Sequence, residues 1–312
     1  MEQEAGILDL RVVAVRLEAE GVLSLELADP LRRLLPAWSP GAHIDVGLPD
    51  HVRQYSLCGN VADRRHYRVA VLREADSGGG STYVHETLRP GDVVEVGGPR
   101  NHFHLEDAAE YAFVAGGIGI TPLIPMIRAV DAAKLPWSLS YGGRSRASMA
   151  FLDELAEYGD RVRLYPADDV PLIDLDAALG EPRPGVGVYA CGPEALLAAM
   201  EAKCSTWPPG TLHLERFKAR PRDDAEERPF DVVVASTGTR LTVPAGRSCF
   251  DVLDEAGFGV SNACRDGVCG SCETKVLSGV PDHRDSLLPE DHLSSMMVCV
   301  SRANTDELVL DL

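Results

Sequence analysis

The sequence predicts a multi-domain fold: an N-terminal antiparallel β-barrel, a central α/β domain built on a parallel sheet, and a C-terminal α+β domain. Three observations predict it. Short alternating strands punctuated by Gly and Pro fill the first hundred residues. Strands alternating with helical stretches follow, which is the pattern of a parallel sheet. A charged, proline-containing stretch then precedes a segment holding three crowded cysteines. The boundaries read as 1–105, 106–217, a linker at 218–229, and 230–312. At 312 residues the chain exceeds what one core usually organises.

Residues 8–27 alternate apolar and polar and predict two antiparallel strands. Residues 43–48, 67–72 and 93–96 predict further strands, separated by Ser39-Pro40-Gly41 and Arg89-Pro90-Gly91. The pattern changes at residues 111–115, an apolar strand leading through Gly116-Gly117-Ile118-Gly119 into a helix over 121–130. Strands are expected at 139–141, 162–165 and 186–190, and helices at 150–158 and 194–203. Beyond the linker, strands at 230–235 and 239–243 and a helix at 248–256 precede the cysteines.

The formal charge of −18 argues against nucleic acid or an anionic membrane as partner. The N-terminus MEQEAGILDL has neither a basic region nor a long apolar run, and no segment is apolar enough to span a bilayer. A cytoplasmic protein is expected, where structural disulfides are uncommon. Of the eight cysteines, Cys264, Cys269 and Cys272 crowd together. In a reducing compartment such crowding points to a metal site.

Cys264-x4-Cys269-x2-Cys272, with Cys299 downstream, has the plant-type [2Fe–2S] spacing. Gly267 and Gly270 let the backbone curl so that N–H groups face the sulfurs. Two plainer readings compete. Cys269-Gly270-Ser271-Cys272 alone could be a thioredoxin-like dithiol, but the βαβ setting is absent. Zinc also takes four thiolates, but Cys299 lacks the second cysteine of a knuckle. The segments SNACRDGVCGSCETKVLSGVPDHRDSLL, MMVCVSRA and LVLDL resemble the ferredoxin domain of the phthalate dioxygenase reductase family, to which vanillate O-demethylase reductase subunits belong. The likeness runs over nearly the whole chain, in the order flavin, nicotinamide, iron–sulfur.

Under that resemblance the barrel is a flavin domain. Arg53-Gln54-Tyr55-Ser56 matches the family's flavin motif, which implies Arg53 on the FMN phosphate, Tyr55 packed on the isoalloxazine ring and Ser56 near its reactive N5. Gly78-Gly79-Gly80-Ser81-Thr82 feeds a helix expected at 83–88, a setting that offers backbone N–H groups to phosphate. Alone it could equally be a hairpin tip. Val71 and Leu72 are candidates for the ring's pyrimidine edge. FMN is favoured, since no stretch suits the AMP half of FAD.

Gly116, Gly117 and Gly119, followed by Thr121 and Pro122, match the G-G-x-G-x-T-P form of ferredoxin reductase-like enzymes and can bring backbone close to a pyrophosphate. Cys191-Gly192-Pro193 also follows a strand. The family implies that Cys191 lies beside the nicotinamide where hydride leaves; a buried structural cysteine is the plain alternative. Phe217 resembles the aromatic covering the flavin face opposite Tyr55, and could be core filler. Arg144 and Ser145 are candidates for the adenosine ribose. Arg144 would also suit NADPH, but Asp168 and Asp169 would repel its extra phosphate, so NADH is expected. His43, His102 and His213 have no ligand spacing, and Cys58, Cys204 and Cys249 read as ordinary small side chains.

Nicotinamide gives up two electrons as hydride, the cluster takes one at a time, and flavin can do both. The expected activity is therefore an NADH-dependent, FMN- and [2Fe–2S]-containing reductase, with no side chain acting as nucleophile or base. The resemblance points to a terminal Rieske-type oxygenase as acceptor, with a cytochrome P450 as the alternative and a redox-sensing regulator as a third reading. A monomer is expected. Arg265 and Asp266 should lie on the docking surface within an acidic ring of Asp251, Asp254, Glu255, Glu290 and Asp291.

Overall fold

The computed structural model describes residues 6–49, 51–74, 79–218, 227–289 and 291–312. Gly78, Glu290 and linker residues 219–226 lie outside the described residues. The chain forms two compact units, Met1–Glu215 and Arg216–Leu312.

The first unit opens with β1 (Leu8–Ala19), β2 (Val22–Ala28), β3 (Ala42–Leu48), β4 (His51–Ser56) and β5 (Tyr67–Leu72). Helix α1 (Gly80–Glu86) and strand β6 (Val93–Asn101) follow. These strands form one antiparallel sheet in the order β4-β3-β6-β1-β2-β5. A bridge between Leu57 and Val69 joins the two ends and curls the sheet into a barrel. The period-two pattern explains its interior: Leu10 and Val12 are fully buried while Asp9 and Arg11 face out. Leu25, Leu27, Ile44, Val46, Val69 and Val96 complete that core.

The same unit continues through β7 (Glu110–Gly116), α2 (Ile120–Ala132), β8 (Trp137–Gly143), α3 (Leu152–Ala156) and β9 (Val162–Pro166). It ends with α4 (Leu175–Leu179), β10 (Val186–Cys191), α5 (Glu194–Cys204) and β11 (Leu212–Glu215). The five strands are parallel, in the order β11-β10-β7-β8-β9. Strand β7 is apolar on both faces because both are covered. Phe113 and Ala115 pack with Leu123 and Ile127 of α2, while Ala112 and Val114 pack with Leu197 and Met200 of α5. The helix expected at 150–158 shrinks to α3, which begins only after Phe151 at φ 64°. Val22, Cys58 and Ala70 of the barrel share a core with Phe113 and Ile127, so the two sheets form one unit. Arg128 reinforces the joint by donating to the carbonyls of Cys58 (3.2 Å) and Gly59 (2.8 Å).

The second unit carries β12 (Phe230–Val234), β13 (Thr239–Val243), α6 (Cys249–Glu255), β14 (Glu273–Ser278), β15 (Pro281–Asp282), β16 (Ser295–Met297), β17 (Arg302–Ala303) and β18 (Glu307–Leu310). The main sheet runs β13-β12-β18-β14-β16, with β15 and β17 paired separately. Ser248 caps α6, its hydroxyl accepting the Asp251 N–H at 3.0 Å. Phe250 and Leu253 of α6 pack on Val232, Val298 and Leu308. Among the described residues no helix is long and apolar enough to cross a membrane.

Candidate functional site

In the parallel sheet the chain runs outward from β7 to β8 and β9, then returns to the other side of β7 as β10. This reversal leaves a crevice at the carboxyl ends of β7 and β10, where open α/β sheets bind ligands. Both glycine motifs lie there, because Ala115 pairs with Cys191 in the parallel register. Their packing gives several glycines a steric duty before any ligand is considered. A Cβ on Gly119 would fall 2.3 Å from the Cys191 carbonyl oxygen. One on Gly192 would fall 2.9 Å from the Gly116 backbone, and one on Gly116 would fall 2.6 Å from Pro193. Gly117 differs: it stands at φ 54° with nothing within 4 Å of its absent Cβ, so its backbone is the open one. The Thr121 hydroxyl donates to the Ile118 carbonyl at 2.9 Å, tying the turn to the start of α2. Pro122 tolerates the first helical turn, where no intrahelical N–H partner is needed.

Cys191 is fully buried, and burial pushes its thiol well above the ordinary range. Its Sγ lies 4.0 Å from Oε2 of Glu215, the residue beside it in register on β11. Glu215 keeps a partly exposed surface, but burial pushes its carboxyl up to about 8, even though Ser56 is hydrogen-bonded to it. The sheet and barrel thus bring Ser56, Glu215 and Cys191 together. Sequence reasoning missed Glu215, which passes for one polar residue in the short stretch Leu212–Glu215. The available signal was its place at the carboxyl end of a strand beside the Cys191 motif.

On β4, Arg53 and Tyr55 share one face and Ser56 turns to the other. The Arg53 side chain lies against α1: a Cβ on Gly80 would fall 3.1 Å from Arg53 Cγ and 3.3 Å from its Nε. Gly79 enters the helix at φ 101°. The buried Ser81 hydroxyl accepts the Glu74 N–H at 3.2 Å, and Thr82 follows it in the first turn. Burial pushes the Tyr55 phenol up to about 12. Arg53 therefore lies against the start of α1, with Tyr55 on the same face of β4. Val71 stands apart: its side chain is in the barrel core, and its carbonyl accepts from His85 Nε2 at 3.0 Å. Leu72 packs toward the core shared with the parallel sheet.

At the carboxyl ends of β8 and β9, Arg144, Asp168 and Asp169 are exposed. Ser145 caps a short helical turn, its hydroxyl accepting the Ser148 N–H at 3.3 Å, so that group already has a structural task. Phe217 lies just past the boundary between the units and is exposed.

In the second unit Cys264 lies beside Cys269 and Cys272 beside Cys299, so the four cysteines stand as two neighbouring pairs. Backbone N–H groups of Asp266 and Val268 face Cys264, those of Cys264 and Ser271 face Cys269, and that of Gly267 faces Cys299. The Ser271 N–H lies 3.4 Å from Cys269 Sγ. Donors of this kind favour thiolates, and the Cys269 thiol is pulled below its ordinary range by its neighbour Cys264. Left-handed backbone at Arg265, Gly267 and Gly270 curls the loop around the sulfurs. Among the described residues no three His, Cys, Asp or Glu side chains are placed for a metal ion. Two thiol pairs within a cage of N–H donors instead fit a two-iron cluster, which the four cysteines would hold together.

Residues 232–304 match the model of the 2Fe-2S iron-sulfur cluster binding domain. Over 309 residues the chain is 43% identical to the phenoxybenzoate dioxygenase subunit beta of Ectopseudomonas oleovorans, covering 97% of each. It superposes on a structure of phthalate dioxygenase reductase with a TM-score of 0.74 and 39% identity, covering 98% of each chain. It also superposes on an intact type IV self-sufficient cytochrome P450 monooxygenase at TM-score 0.92 and 43% identity, covering 98% of this chain but only 41% of that one. That structure's chain thus runs far beyond this one, whereas the phthalate dioxygenase reductase matches it end to end. With an antiparallel barrel, a parallel sheet and a cysteine-loop domain in the same order, the chain belongs to the phthalate dioxygenase reductase family of iron–sulfur flavoprotein oxidoreductases.

Proposed function

We propose that this protein is the NADH-dependent reductase of a Rieske-type terminal oxygenase, with FMN on the barrel, NADH in the β7–β10 crevice and a [2Fe–2S] cluster on Cys264, Cys269, Cys272 and Cys299. The observation that carries the reading is the convergence of Ser56, Glu215 and Cys191 at the crevice, in a chain that also cages four cysteines. A redox sensor has no use for the first of these. Bound together, the groups supply hydride acceptance followed by one-electron delivery.

The chain's own residues do the positioning. Arg53 holds the FMN phosphate by a charge-assisted contact, with the Ser81 and Thr82 end of α1 beside it. Tyr55 offers its ring as a stacking face. Gly117 presents open backbone to the dinucleotide, and Cys191 seals the crevice floor against water. Glu215, protonated below about 8, keeps negative charge away from the point where hydride arrives and accepts the Ser56 hydrogen bond. The N–H cage of the cysteine loop stabilises thiolate ligands. Arg144 and Ser145, at the carboxyl end of β8, would serve the adenosine ribose, with Asp168 and Asp169 disfavouring a 2′-phosphate. No side chain need serve as nucleophile or general base.

A second reading, a cytochrome P450 as acceptor, is favoured by the superposition on the self-sufficient P450. The test is Cys272→Ser in the purified protein. NADH should still bleach the flavin at the wild-type rate, while reduction of an added oxygenase component is lost. A variant that still reduced the oxygenase would sink the assignment. Supplying a Rieske oxygenase and a P450 side by side separates the two acceptors.

A further inference from the structure

Asp285 is none of the four cysteines, yet it is a hub of the unit that holds them. Its side chain is wholly buried. Oδ1 accepts the N–H groups of Leu287 (2.9 Å) and Leu288 (2.7 Å). Oδ2 accepts the Ser301 hydroxyl at 3.0 Å. Ser301 lies two residues beyond Cys299, and its N–H donates to Met297 at 2.9 Å, so it fixes the turn that carries Cys299. The next residue, Ser286, donates its N–H to the Gly267 carbonyl at 3.0 Å. The backbones pack so tightly there that a Cβ on Gly267 would fall 3.0 Å from Asp285 Cα. The N–H of Gly267 in turn faces Cys299. His283 closes the far side, with Nδ1 3.4 Å from Oδ2 and Nε2 donating to the His292 carbonyl at 2.5 Å.

A turn alone does not require a carboxylate. Asparagine would accept the Leu287 and Leu288 N–H groups equally well, without the cost of burying a charge. What the carboxylate adds is negative charge immediately behind the loop between Cys264 and Cys269. Iron–sulfur potentials respond to local charge and to hydrogen bonds on the sulfurs, and Asp285 sits behind the loop that carries both. We propose that Asp285 is a positioning residue that clamps the Cys299 turn to the three-cysteine loop and, through its buried charge, sets the reduction potential of the cluster. The proposal rests on the four cysteines being the ligands.

The test is a mediated redox titration of the intact holoprotein, with iron and sulfide measured and the reduced cluster examined by electron paramagnetic resonance. Asp285→Asn removes the charge and keeps the acceptor for Leu287 and Leu288, while its amide NH2 replaces the oxygen that accepts the Ser301 hydroxyl, a loss that Ser301→Ala isolates. It should retain two irons per chain and shift the reduction equilibrium at least tenfold toward the reduced form, about 59 mV upward for a one-electron couple. Ser301→Ala keeps the charge but frees the Cys299 turn and loosens the Gly267 N–H on its sulfur. Its potential should fall. NADH should reduce the flavin at the wild-type rate in both. Wild-type potentials and resonance spectra in both variants, or a downward shift in Asp285→Asn, would overturn the proposal. If Asp285→Asn fails to load, Ser301→Ala decides alone: a lower potential supports the clamp and an unchanged one refutes it. A wild-type protein without iron and sulfide would instead refute the ligand assignment.

Discussion

Gly119 is the most severe steric constraint in the β7–β10 crevice, and Gly119→Ala measures what it is for. The new Cβ would lie 2.3 Å from the Cys191 carbonyl oxygen and 2.5 Å from its carbon. Non-bonded heavy atoms prefer about 3.5 Å or more, so the two turns must part by about 1 Å. Both offending atoms are backbone, so no rotamer change relieves the overlap. Overpacking of this kind costs about 1–3 kcal/mol of stability. A displacement of about 1 Å in positioned groups can cost about a hundredfold in rate. Anaerobic stopped-flow should therefore show NADH reducing the flavin ten- to a hundredfold more slowly (roughly the range that displacement allows), with flavin and iron content unchanged. Gly117→Ala is the control. Its Cβ meets nothing, and the left-handed φ of 54° costs only about 1–2 kcal/mol. If the dinucleotide rests on Gly117, this variant should raise KM for NADH well beyond that modest loss of stability. Wild-type reduction by Gly119→Ala would refute the packing argument, and wild-type KM in Gly117→Ala would refute the nucleotide's place.

Flavin reduction by NADH should slow as pH rises through about 8, because ionised Glu215 would oppose the arriving hydride; Glu215→Gln should flatten that limb. The same carboxyl is ordinarily near 4.5, so the stability it contributes is complete below that value and is lost as pH rises through about 8; Glu215→Gln should remove this slope from denaturant melts at pH 5 and 9 (round values flanking the two pKa values). Arg53→Ala should weaken FMN binding about a hundredfold, the worth of a charge-assisted phosphate contact of up to about 3 kcal/mol, and fluorescence titration of the apoprotein would expose an unchanged affinity. Partner turnover well below saturation should decline with ionic strength, and charge reversal at exposed Asp266 should lower it without altering the cluster spectrum. The salt effect should be modest, since Asp251 pairs with Arg265 at 3.4 Å and Glu255 with Arg247 at 2.6 Å.

What could be read from the sequence was what is local along the chain. The cysteine loop is legible because three ligands and their glycines fall within nine residues, so spacing alone carries the chemistry. Strands such as Phe230–Val234 and Thr239–Val243 were legible because period-two burial is written into consecutive residues. What pairs across the chain was not. Glu215 acquires its altered acidity from burial where β11 lies beside β10 in parallel register, and the Ser56 bond set against it by the barrel only partly offsets that burial. Nothing in Leu212–Glu215 announces either neighbour. The glycines were found but only half understood: the motif predicts an approach to pyrophosphate, whereas Gly116, Gly119 and Gly192 are first required where two turns of the protein touch each other. The two demands are compatible. Turns that pack without side chains bring the ends of β7 and β10 close together, and the one glycine that packs against nothing, Gly117, is left facing outward. A dinucleotide that rests there meets a rigid floor already assembled by the protein, so little ordering remains to oppose its binding.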